Sequence, residues 1–544
     1  MRRDGAGSDM GNVVQGEFSA RIDELFAEWD RADSPGAAIA VLLGGEVIHQ
    51  RGYGMANLDH GIQIAPDSVF HVASVSKQFT AFAVGLLADE GKLSLDDAVR
   101  QYVPELPDAL PPFTIRQCIH HTSGLRDQYG LFRLAGWRDD DTQTFADVLD
   151  FAYRHERLNF PPGDENRYCN TSYTLLALVV ERVSGQSFRS FAQERLLDPA
   201  GMASSHIHDD HSAIVARRTS AYAKRPGEDG GVKVANSTVS AVGAICLFTT
   251  VEDLSHWVRN YQTREVAGPI MDLAMTSGAL NSGAPTHYGF GLSVGAHRGQ
   301  RMIGHGGSDS GYRAQVTWFP ESDLGVVILC NLGSMKPGLL ALKVADIVIA
   351  DRLGADDVAD APVVDLAEDE LAALAGVYHA SPSRQVREVT LRDGLLRMPS
   401  LFGDDLTLTP IGHRRFRADE PPFEVRFDGP DDALELHEID RHGDMRVSSR
   451  LAPFDPDIEN LAAAVGSYSC PEIGAIYRMS LKDGVLSFGE GKNGLRPLRP
   501  LAPDFFAIDG YGGNTLAVTR DGYGNVAGLQ LFNERIRYLR FARL

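Results

Sequence analysis

The sequence predicts a mixed α+β domain followed by two small antiparallel β-barrels. Three observations lead to this fold class: helical and strand-like patterns are mixed up to about residue 353, an acidic segment follows, and the remaining chain repeats one all-β pattern twice. A chain of 544 residues is too long for one hydrophobic core, since a domain usually holds roughly 100 to 200 residues. We therefore expect several domains.

The α+β part begins with a hairpin pattern. "AAIAVLLGGEVIHQRGYG" predicts two strands around the turn Gly44-Gly45. Apolar residues at helical spacing predict a helix from about Val75 to Glu90 and a second helix in "SYTLLALVVERVSG", which Gly185 ends. "RAQVTWFPESDLGVVILCNL" predicts two more strands, so we expect both ends of the domain to contribute to one sheet.

The last third of the chain contains an internal repeat. "LAGVY" and "VTLRDGLL" are echoed by "AVGSY" and "MSLKDGVL", and Tyr378 is separated from Gly394 as Tyr468 is from Gly484. Three further residues recur at the same spacing in both copies, namely Leu408, Pro410 and Phe416 against Leu498, Pro500 and Phe506. These matched offsets predict two tandem all-β modules, each a small barrel that closes its own edges.

These patterns set the expected boundaries. The segment "GADDVADAPVVDLAEDE" is acidic and lacks an apolar period, which predicts a linker. The expected parts are a disordered N-terminal segment (1–17), the α+β domain (18–354), the linker (355–366), the first barrel (367–455) and the second barrel (456–544).

Composition excludes some partners. The net charge of -21, from 52 basic and 73 acidic residues, would repel a polyphosphate backbone and an anionic membrane surface, so we expect neither nucleic acid nor membrane as a partner. No stretch reaches the ~18 apolar residues of a membrane span, and "MRRDGAGSDMGNVVQGEF" lacks the apolar core of a secretion signal.

The cysteines predict a compartment. They are odd in number, scattered and without paired spacing: Cys118, Cys169, Cys246, Cys330 and Cys470. This usage argues for reduced thiols in a cytoplasm and against a zinc site or a disulfide framework. A signal peptide removed before the first residue would give the same pattern, so that alternative stays open.

The stretch "HVASVSKQFT" places Ser74 and Lys77 three residues apart at the predicted start of an apolar helix. Free backbone N–H groups and the helix dipole favour negative charge there, and Lys77 projects on the same side as Ser74. A hydroxyl needs a base to become a nucleophile, and lysine can serve only if its pKa falls by about three units from ~10.4. The pair alone fits a catalytic dyad and a helix cap with a solvated lysine equally well.

Two further stretches offer polar groups. In "GDENRYCNTS", the phenol of Tyr168 can shuttle a proton and the carboxamide of Asn170 can grip a substrate amide; a helix cap beside a packed tyrosine is the alternative. "RMIGHGGSDSGYR" predicts a strand ending in His305-Gly306-Gly307, where glycines permit close approach and an imidazole can donate a hydrogen bond or carry charge. A structural turn is the alternative there.

Taken in chain order, Ser-x-x-Lys, Tyr-x-Asn and a cationic residue followed by x-Gly resemble the penicillin-binding-protein-like serine hydrolases. This group includes class C β-lactamases, D,D-carboxypeptidases, family VIII esterases and D-aminopeptidases. "HHTSGL", "GAICLFTTVEDL" and "YGFGLSV" are secondary matches, and the resemblance covers Pro35 to about Leu353. It implies a β-lactamase-like catalytic domain, with an antiparallel sheet flanked by helices and an all-helical part.

The resemblance also implies roles. Ser74 would be the acylated nucleophile and Lys77 its proton acceptor. Tyr168 would relay protons between nucleophile, lysine and leaving group, while Asn170 would orient the substrate carbonyl. His305 matches a position that lysine usually holds.

The resemblance also implies an oxyanion hole, and the sequence departs from the family pattern at Cys169 and His305. The backbone N–H groups of Ser74 and of Ser308, just after Gly307, would form the oxyanion hole. Cys169 replaces a more usual Ser or Ala in Tyr-x-Asn, and its side chain is expected to point away and pack. The imidazole of His305 holds a substrate carboxylate less firmly than an ammonium, which weakens the case for β-lactam or D-Ala-D-Ala recognition.

The whole chain resembles the bacterial D-aminopeptidases, whose last barrel sends a loop into the active site. Here "FAIDGYGGNT" is the candidate loop, in which Asp509 would hold a substrate α-amino group; a plain hairpin turn is the alternative. The expected activity is hydrolysis, without metal or organic cofactor, of small amides or short peptides that carry an N-terminal D-residue. Two alternative functions remain open: an esterase or D,D-peptidase with weak β-lactamase activity, and a non-catalytic binding or sensor protein. Whether the chain forms a homodimer also stays open.

Overall fold

The structure, a computed structural model, describes residues 18–138, 140–225, 231–381, 383–399, 405–419, 422–490, 494–508 and 514–544. The segment expected to be disordered, 1–17, lies outside the described residues. The expected fold class is confirmed, because a mixed α+β domain precedes two closed antiparallel barrels.

The strands of the α+β domain form one large sheet and several short pairings. In chain order they are β1 (Ala37–Leu43), β2 (Glu46–Tyr53), β3 (Met55–Asn57), β4 (Ile62–Gln63), β5 (Phe70–His71), β6 (His206–Ile207), β7 (Tyr222–Lys224), β8 (Val232–Val234), β9 (Leu247–Thr249), β10 (Ser293–His297), β11 (Gln300–Asp309), β12 (Tyr312–Phe319) and β13 (Leu324–Cys330). The large sheet has six strands in the order β10-β11-β12-β13-β1-β2. Since β1 pairs with both β2 and β13, the two ends of the domain build one sheet, as the sequence predicts.

Helices cover this sheet and form a separate helical part. In chain order they are α1 (18–26), α2 (Lys77–Asp89), α3 (Ile115–Ile119), α4 (Gln128–Leu134), α5 (Phe145–Tyr153), α6 (Asn170–Ser184), α7 (Phe188–Ala192), α8 (Val251–Thr263), α9 (Gly268–Ala274) and α10 (Pro337–Val348). The helices α2 and α6 are buried over most of their length, because their apolar residues share one core with β11 and β12. This packing places the start of α2 beside the start of α6.

The first barrel follows a short helix, α11 (Glu368–Leu374). Its eight strands are β14 (Gly376–Ala380), β15 (Gln385–Arg392), β16 (Leu395–Met398), β17 (Leu406–Gly412), β18 (Arg415–Asp419), β19 (Pro422–Asp428), β20 (Glu435–Ile439) and β21 (Met445–Arg450). We propose 355–366 as the linker before it, because within 355–366, which the structure describes throughout, no helix or strand forms.

The second barrel follows α12 (Ile458–Ala463). Its eight strands are β22 (Gly466–Cys470), β23 (Ala475–Lys482), β24 (Val485–Glu490), β25 (Gly494–Ala502), β26 (Phe505–Ile508), β27 (Thr515–Arg520), β28 (Val526–Phe532) and β29 (Leu539–Arg543).

The sequence repeat corresponds to repeated structure. The buried Tyr378 hydroxyl donates to the carbonyl of the residue four positions earlier at 2.6 Å, and Tyr468 does the same at 2.6 Å. Gly394 (φ +73°) and Gly484 (φ +80°) occupy equivalent hairpin turns that need a left-handed conformation. Each barrel therefore uses the same residues for the same local purpose.

The second barrel packs directly against the α+β domain. The buried guanidinium of Arg126 donates to Glu472 at 2.5 and 2.6 Å, and the side chains are 1% and 3% exposed. Arg537 donates to both carboxylate oxygens of Glu165, at 2.8 and 3.0 Å. The segment 533–538, between β28 and β29, forms much of this contact and leads toward Tyr168.

Candidate active site

Ser74 lies in a tight turn at the start of α2. A 3-10 turn over Ala73–Ser76 runs directly into this helix, and Ser74 is half-buried. Ala73 adopts φ +46°, a left-handed conformation that costs a non-glycine residue about 1–3 kcal/mol. The Ser76 hydroxyl donates to the Ala73 carbonyl at 2.6 Å and accepts from the backbone N–H of Leu247 at 2.9 Å. The surrounding structure thus fixes the turn that presents Ser74.

Lys77 is fully buried and its amine contacts three oxygens. Nζ lies 3.2 Å from Ser74 Oγ, 2.8 Å from Asn170 Oδ1 and 2.8 Å from the Ala244 carbonyl. Burial holds the pKa of Lys77 well below its usual value, which favours the neutral amine. A neutral amine can donate to the amide and carbonyl oxygens, which only accept, and then directs its lone pair at Ser74. The arrangement is that of a base facing a nucleophile.

Asn170 is held by a carboxylate that the sequence did not point to. Asp127 Oδ2 accepts from the backbone N–H of Asn170 at 2.8 Å and from its Nδ2 at 2.7 Å. These bonds orient the amide so that its oxygen faces Lys77. Asp127 is itself fixed at the start of α4, where Oδ1 accepts from the N–H of Tyr129 at 3.2 Å.

Tyr168 places its aromatic ring beside the amine. Lys77 Nζ lies 4.7 Å from the ring centroid. Burial raises the pKa of the Tyr168 phenol, and the neighbouring Ser74 hydroxyl acts in the opposite direction. Cys169 is buried behind this residue, with Sγ 3.8 Å from the Arg126 carbonyl, and burial raises the pKa of its thiol to about 11. The thiol therefore packs away from the reacting groups.

His305 is buried and has a protein partner on each ring nitrogen. Nδ1 donates to the Gly306 carbonyl at 2.5 Å, and Nε2 accepts from the Tyr288 hydroxyl at 2.8 Å. Burial, aided by the nearby Lys77, lowers the pKa of His305 to about 3. The imidazole is therefore neutral at physiological pH, unlike the cation that usually holds this position.

His121 completes an aromatic cluster around the site. Its Nδ1 accepts from the N–H of Cys169 at 3.1 Å, and its ring centroid lies 4.3 Å from that of Tyr168 and 4.6 Å from that of Tyr288. Both "HHTSGL" and "YGFGLSV", noted as secondary matches, supply a side chain here. Neither motif by itself indicates that its side chain lies beside Tyr168.

The strand β11 brings Gly307 against the Ser74 turn. Its pairing with β10 ends at Gly304, so the strand runs on toward Ser308 with β12 on one side only. A Cβ on Gly307 would lie 2.2 Å from the Val72 carbonyl oxygen, so only glycine permits this approach. Ser308 follows, with an exposed side chain. The backbone N–H groups of Ser74 and Ser308 remain the proposed oxyanion hole.

The second barrel reaches the site through Arg535. Its guanidinium carbon lies 5.1 Å from the Tyr168 ring centroid, and its Nη1 lies 4.0 Å from Asp127 Oδ1. Asp509, which the sequence predicts as the residue of the second barrel that reaches the site, lies outside the described residues. No local pattern marks Arg535, because more than 350 residues separate it from Tyr168 in the chain.

Two properties concern the molecule as a whole. Among the described residues, no helix has both the length and the apolar character to cross a membrane. Nor does the described part of the chain bring together three or more His, Cys, Asp or Glu side chains in a way that could hold a metal ion.

The chain is similar to proteins of known family over its α+β part. The family model described as Beta-lactamase matches residues 21–348. A D-aminopeptidase of Cereibacter sphaeroides is 30% identical over 306 residues, which are 55% of this chain and 57% of the relative. A D-aminopeptidase of Brucella canis is 26% identical over 302 residues, which are 55% of this chain and 56% of the relative. The chain thus spans little more than half the length of these relatives.

Solved structures share the fold. The octameric penicillin-binding protein homologue from Pyrococcus abyssi has a TM-score of 0.57 at 22% identity, over 80% of this chain and 99% of the homologue. The D-amino acid amidase from Ochrobactrum anthropi SV3 has a TM-score of 0.51 at 21% identity, over 63% of this chain and 99% of the amidase. The resemblance drawn from the sequence motifs is confirmed. The chain belongs to the Beta-lactamase family.

Proposed function

We propose that the protein is a D-stereospecific aminopeptidase that works through an acyl-enzyme on Ser74. Lys77 accepts the Ser74 proton while Oγ attacks the substrate carbonyl carbon. Tyr168 then gives its proton to the leaving amine as the C–N bond breaks and takes up the proton that Lys77 holds. Water next attacks the ester carbonyl, neutral Lys77 accepts a proton from that water, and the proton returns to Ser74 Oγ as the ester C–O bond breaks. The substrate is a small amide or a short peptide.

The contact set of Lys77 carries this proposal. Asn170 Oδ1 and the Ala244 carbonyl, each 2.8 Å from Nζ, only accept hydrogen bonds, so the neutral amine turns its lone pair to Ser74 Oγ at 3.2 Å. A solvated lysine would have none of these constraints. Burial lowers the pKa of Lys77, which keeps a base available near neutral pH.

The D-aminopeptidase specificity is supported by the relatives and by His305. The named relatives are D-aminopeptidases, and one structural neighbour is a D-amino acid amidase. An enzyme that recognises a C-terminal carboxylate would require a cation to bind it. His305 is neutral and has a partner on each ring nitrogen, so it does not provide that cation. Asp509 remains the residue proposed to receive the substrate α-ammonium.

Hydrolysis of p-nitroanilides tests the specificity. The protein is expected to release p-nitroaniline from D-alanine p-nitroanilide at least about tenfold faster than from the L-enantiomer, a difference of ~1.4 kcal/mol between the two transition states. Equal rates for the two enantiomers would reject D-stereospecificity, but the protein would still be a serine hydrolase. A short ester and a cephalosporin in the same panel distinguish an esterase or a weak β-lactamase, and Ser74→Ala serves as the inactive control.

A second assay addresses Asp509. If its carboxylate binds the α-ammonium, Asp509→Asn should raise KM for D-alanine p-nitroanilide and leave hydrolysis of the N-acetylated analogue unchanged. Equal effects on both substrates would remove Asp509 from the proposal.

A further inference from the structure

Arg535 connects the second barrel to the Ser74 site, although it lies near the far end of the chain. Its side chain is 27% exposed, whereas that of Asp127, 4.0 Å away, is 1% exposed. Its guanidinium also lies over the ring of Tyr168. We propose that Arg535 is a positioning residue for acylation, which balances the charge of buried Asp127 and covers Tyr168 so that Lys77 remains an effective base. The inference rests on the proposed serine hydrolase function.

The backbone around Arg535 is fixed by the catalytic domain. Asn159 Nδ2 donates to the Arg535 carbonyl at 2.9 Å, and Asn159 Oδ1 accepts from the N–H of Arg537 at 2.7 Å. Ile536 is fully buried against Gly130, where an added Cβ would lie 2.6 Å from Ile536 Cδ1. Arg535 is thus anchored through its own carbonyl and through the two residues that follow it, which gives its guanidinium a defined place.

A chain of contacts runs from Arg535 to the base. Arg535 faces Asp127 Oδ1, while Asp127 Oδ2 accepts two hydrogen bonds from Asn170. Asn170 Oδ1 in turn accepts from Lys77 at 2.8 Å. A buried carboxylate so close to an amine favours the ammonium form, which is useless as a base. A cation on the outer side of the carboxylate opposes that tendency.

The charged groups around Lys77 move its pKa in the directions that this role requires. After burial, which lowers the pKa of Lys77 most, Asp127 raises it and Arg535 lowers it. The ionisable groups that face Lys77 come from each element packed around it: Asp127 before α4, Tyr168, Cys169 and Tyr173 at α6, His121 after α3, His305 on β11 and Arg535 from the second barrel. Of these, Arg535 is supplied by the second barrel, so the barrel sets part of the electrostatics of the site.

The test measures acylation by p-nitrophenyl acetate, an uncharged probe, from pH 5 to 9. The activity of a neutral Lys77 rises with pH through its pKa. Arg535→Gln should therefore raise the pKa seen in the acylation rate by about one unit. The acylation rate would then be ~tenfold lower than that of the wild type below this pKa and would equal the wild-type rate well above it. Arg535→Lys should restore most of the wild-type profile, and Arg540→Gln, the same charge change on an exposed residue of β29, should leave it unchanged.

The outcomes separate the roles that Arg535 can have. A superimposable profile for Arg535→Gln, or an equal loss at every pH, would overturn the positioning role. Binding of a substrate carboxylate by Arg535 would instead raise KM only for substrates that carry one, at all pH values. Failure of p-nitrophenyl acetate to acylate Ser74 in the wild type would overturn the proposed function and, with it, this inference. Thermal unfolding of each variant verifies that it is folded.

Discussion

Lys77 has an environment that is unusual for a lysine. Lysine is almost never fully buried unless it has partners, and this one is buried with two acceptor oxygens and a hydroxyl around its amine. Removing the base should lower the rate of Ser74 acylation by about 10²–10⁴-fold, the usual contribution of a positioned proton acceptor. Burst kinetics of Lys77→Ala measure this, with exposed Lys92→Ala as control. A loss below tenfold would remove Lys77 from the mechanism.

His305 determines which charge the substrate meets. Because its pKa is about 3, it carries no charge between pH 5 and 9, and it binds Tyr288 instead. His305→Lys would introduce an ammonium that can pair with the carboxylate of a cephalosporin. Charged hydrogen bonds are worth about 1.5–3 kcal/mol, so the ratio of cephalosporin to D-alanine p-nitroanilide turnover should rise at least ~tenfold. An unchanged ratio would show that this position does not set substrate charge.

At the scale of elements, the contact of β11 with the Ser74 turn sets the geometry of the site. Gly307→Ala would place a methyl group 2.2 Å from the Val72 carbonyl oxygen, which forces the strand and the turn apart. Since a displacement of about 1 Å can cost 10²-fold in rate, kcat/KM should fall by about that factor. Gly306→Ala is the matched control, because its methyl group would meet the flexible Gln315 side chain at 3.1 Å. Equal kinetics for both variants would contradict this role of the strand.

Elements also show what sequence patterns can predict. The hairpin of β1 and β2, the helices α2 and α6 and the barrel repeat were predictable, because each depends on local periodicity and turn residues. Short motifs indicate four site residues that the structure brings together: Ser74, Lys77, Tyr168 and Asn170. Asp127 and Arg535 were not found, since their roles depend on tertiary contacts between segments that no local pattern links.

A buried ion pair joins the second barrel to the catalytic domain. Glu472→Gln would leave the Arg126 guanidinium buried without its counter-charge, which typically costs 3–5 kcal/mol. The free energy of unfolding in urea should fall by about that amount. Asp67→Asn, which removes a half-exposed partner of Arg217, should change it by less than about 1 kcal/mol. Similar values for both variants would show that the barrel is not stabilised by this pair.

The proposed mechanism requires that Ser74 forms the acyl-enzyme. The direct measurement is mass spectrometry of the protein quenched in acid during turnover of a D-alanyl ester, followed by peptide mapping. This mechanism predicts one acyl group on the peptide that contains Ser74. The acyl group should accumulate more slowly in Lys77→Ala and be absent in Ser74→Ala. An acyl group on another residue, or turnover that persists unchanged in Ser74→Ala, would contradict it.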